Sequence, residues 1–322
     1  MLDLLSTEKI MAESAVAIAG RRDVIEVTGP DGGSYLHGQL SQDVLGLEIG
    51  QSALTLLLSP QGKVDAWIRM TRLGTERYWL DIDEGFGEAA LERLNRFKLR
   101  VDTEMKLLSL PMISVRGPLA INGAETLSIV ATDEIDNEVV IVPPTGAGVV
   151  GFDVLGSGAT SAVEKSDLAQ GNLQALETER IRLGTPAMGA ELDESTIPAS
   201  AGIVERSVDF TKGCYVGQEL VARIDSRGVS TPRTLCGLQM AEPLSSDASD
   251  LVGSAEGLKL TLDDAEVGVV TSYQNSPTYG PVGLAYIKRG IDVPSEAAVG
   301  ESEGDQPKAI EVNLTLLPIP NR

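Results

Sequence analysis

The most concentrated chemistry lies in one stretch, Phe210-Thr211-Lys212-Gly213-Cys214-Tyr215-Val216-Gly217-Gln218-Glu219-Leu220-Val221-Ala222-Arg223. Two glycines bracket a cysteine and an aromatic, and Gln218 to Ile224 reads as the first turns of a helix with Gly217 at its cap. A sulfur just ahead of a helix start feels the positive end of the dipole, and Lys212 adds a cation. Both favour thiolate over thiol. Glu219 opposes them if its carboxylate turns toward the sulfur. Cys214 is thus the candidate reactive or ligand-binding thiol. Lys212 would tune it, Gly213 and Gly217 would permit the bend, and Tyr215, Gln218 and Glu219 would shape the helix start. The alternative is a tight strand-to-helix turn whose cysteine is a small buried filler.

Other chemistry-bearing residues read more plainly. His37, the one histidine, sits in an amphipathic pattern with no serine or cysteine motif to partner it, and reads as a surface or internally satisfied group. Gly146-Ala147-Gly148 with Gly151 lacks the spacing and setting of a phosphate loop and reads as a hairpin turn. Cys236 lies in an apolar strand pattern and reads as core, with a bridge to Cys214 left open.

The elements that position these groups alternate between strand and helix, which argues for a mixed α/β layer. Val24 to Thr28 is β-branched and broken by Gly29-Pro30, after which Asp31 is placed to cap a helix through about Leu40. Ala53 to Leu58 reads as a buried strand. Val64 to Arg72 alternates, with Val64, Ala66, Ile68 and Met70 on one side and Asp65, Trp67, Arg69 and Thr71 on the other, and Arg77 to Asp83 is its hairpin partner. Glu88 to Phe97 and Asp167 to Leu183 have helical spacing, the second closed by Gly184. Leu107 to Val115 resumes strand character. From Leu235 the pattern is all strands: 235–240, 258–262, 267–272, 282–287 and 310–317. That predicts a barrel or sandwich beginning near Ser230-Thr231-Pro232. Residues 242–257 and 292–307, rich in Ser, Gly and acids, read as solvated loops.

Composition bounds what such a chain does. Its 322 residues carry 26 basic and 47 acidic side chains, a net charge of −21, which disfavours direct binding to nucleic acid or to anionic membrane surfaces. One histidine and two cysteines exclude a metal or iron–sulfur centre needing four such ligands from one chain, and a secreted disulfide framework. Acids interrupt the first twenty residues where a signal peptide needs an apolar run. A cytoplasmic, soluble, monomeric protein is expected.

The stretch Lys212-Gly213-Cys214-Tyr215-Val216-Gly217-Gln218-Glu219 resembles the signature of the YgfZ family, folate-binding relatives of the glycine-cleavage T protein, an aminomethyltransferase. Val27 to Asp31, Leu36 to Val44, Leu58 to Val64 and Arg96 to Arg100 are similar to the family's N-terminal segments. Gly189 to Glu194 and Ile197-Pro198 resemble the approach to the signature. Val267 to Ser272, Ser276-Pro277 and Gly283 to Tyr286 resemble the T protein's C-terminal barrel. The resemblance implies an α+β fold: a three-subdomain ring, with residues 1–230 as a folate-binding region of two subdomains and 231–322 as an antiparallel barrel. It implies tetrahydrofolate in the central channel and a role in assembly or repair of iron–sulfur proteins, including enzymes that modify tRNA. The implied partners are folate and iron–sulfur enzymes or their assembly factors. The exposed sulfur is then expected beside a cavity shaped for a reduced pteridine.

Departures from the T protein fall on the pterin grip. Where that protein places a pterin-binding Glu, the matching position here is Arg182, and an arginine cannot accept hydrogen bonds from the pterin's amino group and ring N–H. Glu177 or Glu179, one turn back, are the substitutes, unless folate is held differently. Arg223 and Arg227 would line the mouth of the channel. The run Arg93, Arg96, Lys98 and Arg100 would meet a folate's glutamate tail or a phosphorylated partner, or else is a solvated face. The T protein's Asn and Asp after the Tyr-Trp-Leu strand are not clearly kept, although Asp81, Asp83 and Glu84 lie nearby. With aminomethyl-transfer positions eroded and the cysteine signature intact, the accessory role leads. The alternatives are a folate-dependent one-carbon transferase of the aminomethyl type and a folate-binding scaffold or sensor without chemistry.

Overall fold

The structure, a computed structural model, describes residues 1–120, 138–227, 231–254, 257–303 and 306–320. One sheet contains β1 (Val16–Thr28), β2 (Ser52–Leu58), β3 (Val64–Gly74), β4 (Arg77–Asp83), β5 (Glu104–Arg116), β6 (Val140–Val142), β7 (Gly151–Leu155) and the short β8 (Ala169–Gln170). Its order is β2-β3-β4-β1-β5-β7-β6, with β8 paired to β1. The helices are α1 (Leu4–Glu13), α2 (Gly32–Gln39), α3 (Gly87–Arg96), α4 (Ala159–Glu164), α5 (Gln174–Leu183), α6 (Val204–Ser207), α7 (Gln218–Arg227) and α8 (Ser246–Leu251). Strands β9 (Arg233–Met240), β10 (Leu258–Leu262), β11 (Ala265–Ser276), β12 (Gly280–Lys288), β13 (Ser295–Glu303) and β14 (Gln306–Thr315) close into an antiparallel barrel, order β10-β11-β12-β9-β14-β13.

β1 is the seam of the sheet. Its second half pairs with β4 and its whole length with β5, so one continuous strand belongs to two packed units. In the first unit, Ala66, Ile68 and Met70 bury against Leu36 of α2, Leu40 just past its end, and Ala90 and Leu94 of α3. Val64, read on the same side, instead joins the barrel-facing cluster, because the β2–β3 register shifts beside it. In the second, α4 packs Ala159 and Val163 on Val115 and Val154. The barrel has its own apolar interior. A further cluster joins the sheet's other face to the barrel, through Leu56, Leu58 and Trp67 on one side and Leu235, Leu284 and Tyr286 on the other. Both sides of the β3 alternation are therefore buried, and charged side chains on the barrel-facing side must be paired to be tolerated.

Three local readings are corrected. The stretch 167–183 is helical only from Gln174. Ala169–Gln170 pairs with β1, and the Asn172 side chain accepts from Gln174 N (2.9 Å), starting the helix there. The segments 242–257 and 292–307 are not wholly loop. Ser245 accepts from Ala248 N (3.2 Å) to cap α8, and β13 turns the small Ala297 and Val299 inward. Finally, Asp31 stands before α2 as read, but its carboxylate accepts from Asp102 N (2.9 Å) and caps nothing. Ser230 and the Arg227 side chain lie outside the described residues. No helix among the described residues is long and apolar enough to cross a membrane.

Candidate functional site

Between the sheet face of β3, β5 and β7, helix α5 and the barrel lies a cavity of about 600 Å³. Leu54, Trp67, Ile68, Leu173 and Leu176 supply apolar wall, and Gln274 reaches it from the barrel. Its floor is a chain of buried ion pairs. Arg69 of β3 stands directly opposite Asp81 of β4, and donates to it twice, Nε to Oδ2 (2.8 Å) and Nη2 to Oδ1 (3.0 Å). Arg22 Nε also donates to Asp81 Oδ1 (2.9 Å), and its Nη1 donates to Asp83. Arg69 Nη1 reaches Asp153 Oδ2 (2.6 Å), whose other oxygen accepts from Arg116 Nη2 (2.7 Å). Arg116 Nε then donates to Glu179 Oε2 (3.1 Å).

This network sets the charge states at the cavity. Burial works to raise the Asp153 carboxyl, but Arg116 and Arg69 outweigh it and hold the group below the usual carboxylate range. At Glu179 the balance reverses: burial outweighs the single Arg116 contact and pushes its carboxyl up. Burial thus biases Glu179 toward its protonated form, with Oε2 engaged by Arg116. Glu177, on the same wall, gives both oxygens to Arg180. Arg180 also donates to Glu191 (2.8 Å) and Ser272 (2.7 Å), tying α5 to the barrel.

Arg182 is not in this cavity. Its guanidinium lies over the Tyr279 ring (3.4 Å to the centroid), and it lines a second cavity of about 330 Å³ together with Glu8 and Tyr279. Glu179 lines both spaces, so it forms part of the partition between them. Arg223 is on the exposed side of α7 and is not among the residues lining the central cavity. In the sequence Asp81 and Asp83 were read only as neighbours of the T protein's Asn and Asp positions, and the roles of Arg22, Arg69, Arg116 and Asp153 went unread. The hairpin alignment carried the signal, since it sets Arg69 against Asp81 on a barrel-facing side.

The signature loop lies along the end of α2. Lys212 Nζ donates to the carbonyl oxygens of His37, Leu40 (2.6 Å) and Gln42 (3.1 Å), and Val216 N donates to Gly38 O (3.3 Å). The ammonium therefore closes the carbonyl end of α2, a different task from tuning a thiol. Burial lowers its pKa to about 8, against the pull of Asp43 and Asp209. Gly217 has φ of +83°, and a Cβ there would meet Ser59 O at 2.5 Å. Gly213 has no such need, since a Cβ would meet only His37 Nε2, at 3.9 Å. Gln218 Oε1 accepts from Tyr215 N (3.2 Å), Tyr215 has its hydroxyl pushed up to about 12 by burial, and Glu219 is exposed.

Cys214 is exposed and Cys236 is buried, and both are free, so no bridge joins them. The exposed sulfur is as expected, but Cys214 is not among the residues lining the central cavity. His37 is more than a surface group: its buried Nδ1 faces Asp43 Oδ1 at 3.3 Å without an aligned hydrogen bond, and its Nε2 borders Gly213. Burial and the Lys212 charge lower its pKa, against the pull of Asp43 and Asp209.

No family model matches the chain. An iron–sulfur cluster assembly factor IBA57 homologue, mitochondrial, of Neurospora crassa is 28% identical over 283 residues, covering 82% of this chain and 63% of that protein. An uncharacterized protein of Haemophilus influenzae is 28% identical over 209 residues, covering 64% of this chain and 67% of that one. The chain thus spans about two thirds of the length of these two relatives. An aminomethyltransferase of Cutibacterium acnes is 24% identical over 351 residues, covering 99% of this chain and 90% of that one. The crystal structure of glycine cleavage system aminomethyltransferase T from Bartonella henselae matches with a TM-score of 0.80 at 20% identity, covering 98% of this chain and 89% of that one.

Proposed function

We propose that this chain, a YgfZ-like protein with the aminomethyltransferase fold, binds tetrahydrofolate in its central cavity and acts as an accessory factor for iron–sulfur proteins. A cytoplasmic location and a monomeric state belong to the same proposal. The observation that carries it is the pairing of a cavity of about 600 Å³ with a half-buried carboxylate, Glu179, on its wall. A reduced pteridine keeps a planar pyrimidine half beside a puckered reduced ring, and its amino group and ring N–H need an acceptor pair inside apolar walls. A cavity of this size suits such a ligand.

The residues present fit that group. Glu179 would accept from the pteridine edge, while Arg116 keeps its carboxylate oriented. Trp67, Ile68, Leu173 and Leu176 would flank the ring and exclude water. The ion chain from Asp83 through Arg22, Asp81, Arg69 and Asp153 fixes Arg116 before any ligand arrives. Preorganisation of this kind lowers the ordering cost of binding. When bound, tetrahydrofolate supplies a reduced ring able to carry or accept a one-carbon unit. Arg182, stacked on Tyr279, would border the exit beyond Glu179 rather than grip the pterin.

The assembly reading is favoured over aminomethyl transfer by the intact signature and by the loss of the T protein's pterin-binding Glu at Arg182. The test is complementation of a deletion strain, reading the activities of its iron–sulfur enzymes. Wild type restores them and Cys214→Ala does not. Full rescue by Cys214→Ala would remove the thiol from the function. Formation of methylene-tetrahydrofolate from an aminomethyl-lipoyl donor would favour the transferase instead. Folate binding with indifference to thiol alkylation would favour a scaffold or sensor.

A further inference from the structure

The separation of Cys214 from the central cavity means that whatever meets the sulfur arrives from outside. The surface around it is unusual for this chain. Two of the four phenylalanines are exposed, Phe210 at 49% and Phe97 at 41%, and Leu99 is 80% exposed. These residues belong to one corner of the fold. Phe210 and Cys214 share the signature loop, which lies on the end of α2. The end of α3 is tied to the same helix: Tyr35 donates its hydroxyl to Leu94 O, and Arg93 Nη1 donates to Gln39 Oε1 (3.5 Å). Arg93 Nη2 also holds Leu58 O (2.9 Å), in the turn that Gly217 packs upon. Its guanidinium lies over the Phe97 ring, 4.2 Å from the centroid.

The α3 side of this corner carries a run of cations. In the run Arg93, Arg96, Lys98 and Arg100, the only ion pair among the described residues is Arg93 with Asp65 (3.0 Å). Arg96 and Arg100 are exposed, and Arg100 has φ of +57°, a conformation unfavourable for a residue with a side chain. In a chain of net charge −21, cations gathered beside exposed aromatic and aliphatic side chains select one orientation of approach for an acidic partner. A polyanion such as a nucleic acid would still meet the field of the whole chain, and would gain little from Leu99. A protein surface with an apolar centre and an acidic rim matches both halves of the patch.

We infer that the corner formed by Phe97, Leu99, Phe210 and the cations Arg96, Lys98 and Arg100 is a docking face for an acidic, amphipathic protein segment, delivering that partner to Cys214. A standard interface covers about 800 Å² on each partner, enough to span the ends of α2 and α3 and the signature loop together. The inference rests on the reading above only in taking Cys214 as the working group, since the face itself does not involve folate.

The test uses the full chain and a fluorescent amphipathic peptide carrying Leu and Phe on one helical face and Glu on the other. Anisotropy should show binding that weakens as salt rises, and bound peptide should slow iodoacetamide alkylation of Cys214. The doubly substituted Arg96→Glu, Arg100→Glu chain should lose at least about tenfold in peptide affinity and lose the protection. Neither arginine lines the central cavity, so the expected contact of this run with a folate's glutamate tail is set aside here. Tetrahydrofolate affinity should be unchanged, which separates failure of this face from failure of the folate reading. No binding, equal binding of a peptide with Lys in place of Glu, or binding indifferent to the double substitution would each overturn the proposal. So would tighter binding of a single-stranded oligonucleotide than of the acidic peptide.

Discussion

Glu179 concentrates the account at the scale of a residue. It could be singled out in the sequence only as one of two acids a turn back from Arg182. Both line the cavity, and nothing in the spacing said that Glu177 would give both its oxygens to Arg180, because that depends on how α5 lies against the barrel. Its raised pKa carries a pH signature. A folded-state pKa above the ordinary carboxylate value of about 4.3 means the group is still partly protonated in mild acid. As pH rises through that raised value the acceptor form appears, so tetrahydrofolate binding should strengthen from acid toward neutrality, and Glu179→Gln should flatten the profile. Titrations of both proteins across that range check this. Lys212 shows the opposite lesson. Its charge was legible, but its destination was not, because the carbonyls of His37, Leu40 and Gln42 come together only at the end of α2.

Two elements matter most. The turn before α7 was readable from its two glycines, although only Gly217 is held by geometry, with φ of +83° and Ser59 O and Leu58 closing around it. Gly217→Ala should cost about 1–3 kcal/mol in urea unfolding from backbone strain, before the close contacts add to it. Gly213→Ala should cost far less, since nothing but His37 Nε2 stands within reach. The β3–β4 hairpin was equally readable, but its paired charges were not weighed as a buried unit. Asp81 is fully buried between Arg69 and Arg22, so Asp81→Asn leaves cationic groups without their counter-charge and should destabilise by about 3–5 kcal/mol in the same measurement. Asp153, whose pKa is depressed in the fold, adds stability above the unfolded carboxylate pKa. That stability is lost as pH falls through its lower folded value, so acid unfolding should release this network.

For the whole molecule, the strand-rich C-terminal region announced its barrel through regular apolar segments. The closing strand β13 escaped notice because the small Ala297 and Val299 that it turns inward stand amid acids. The ring-like arrangement came from resemblance, since no local pattern in the chain encodes how β1 is shared or how the barrel meets the sheet. That arrangement yields two separate working regions: a central cavity walled by Glu179, and an exposed thiol at the end of α2. Calorimetric titration with tetrahydrofolate addresses the first most directly. The account predicts one-site binding that Glu179→Gln weakens by about tenfold or more, the cost of a lost charge-assisted contact, while Cys214→Ala leaves it intact. Absence of binding to the wild-type chain, or an affinity unchanged by Glu179→Gln, would contradict it.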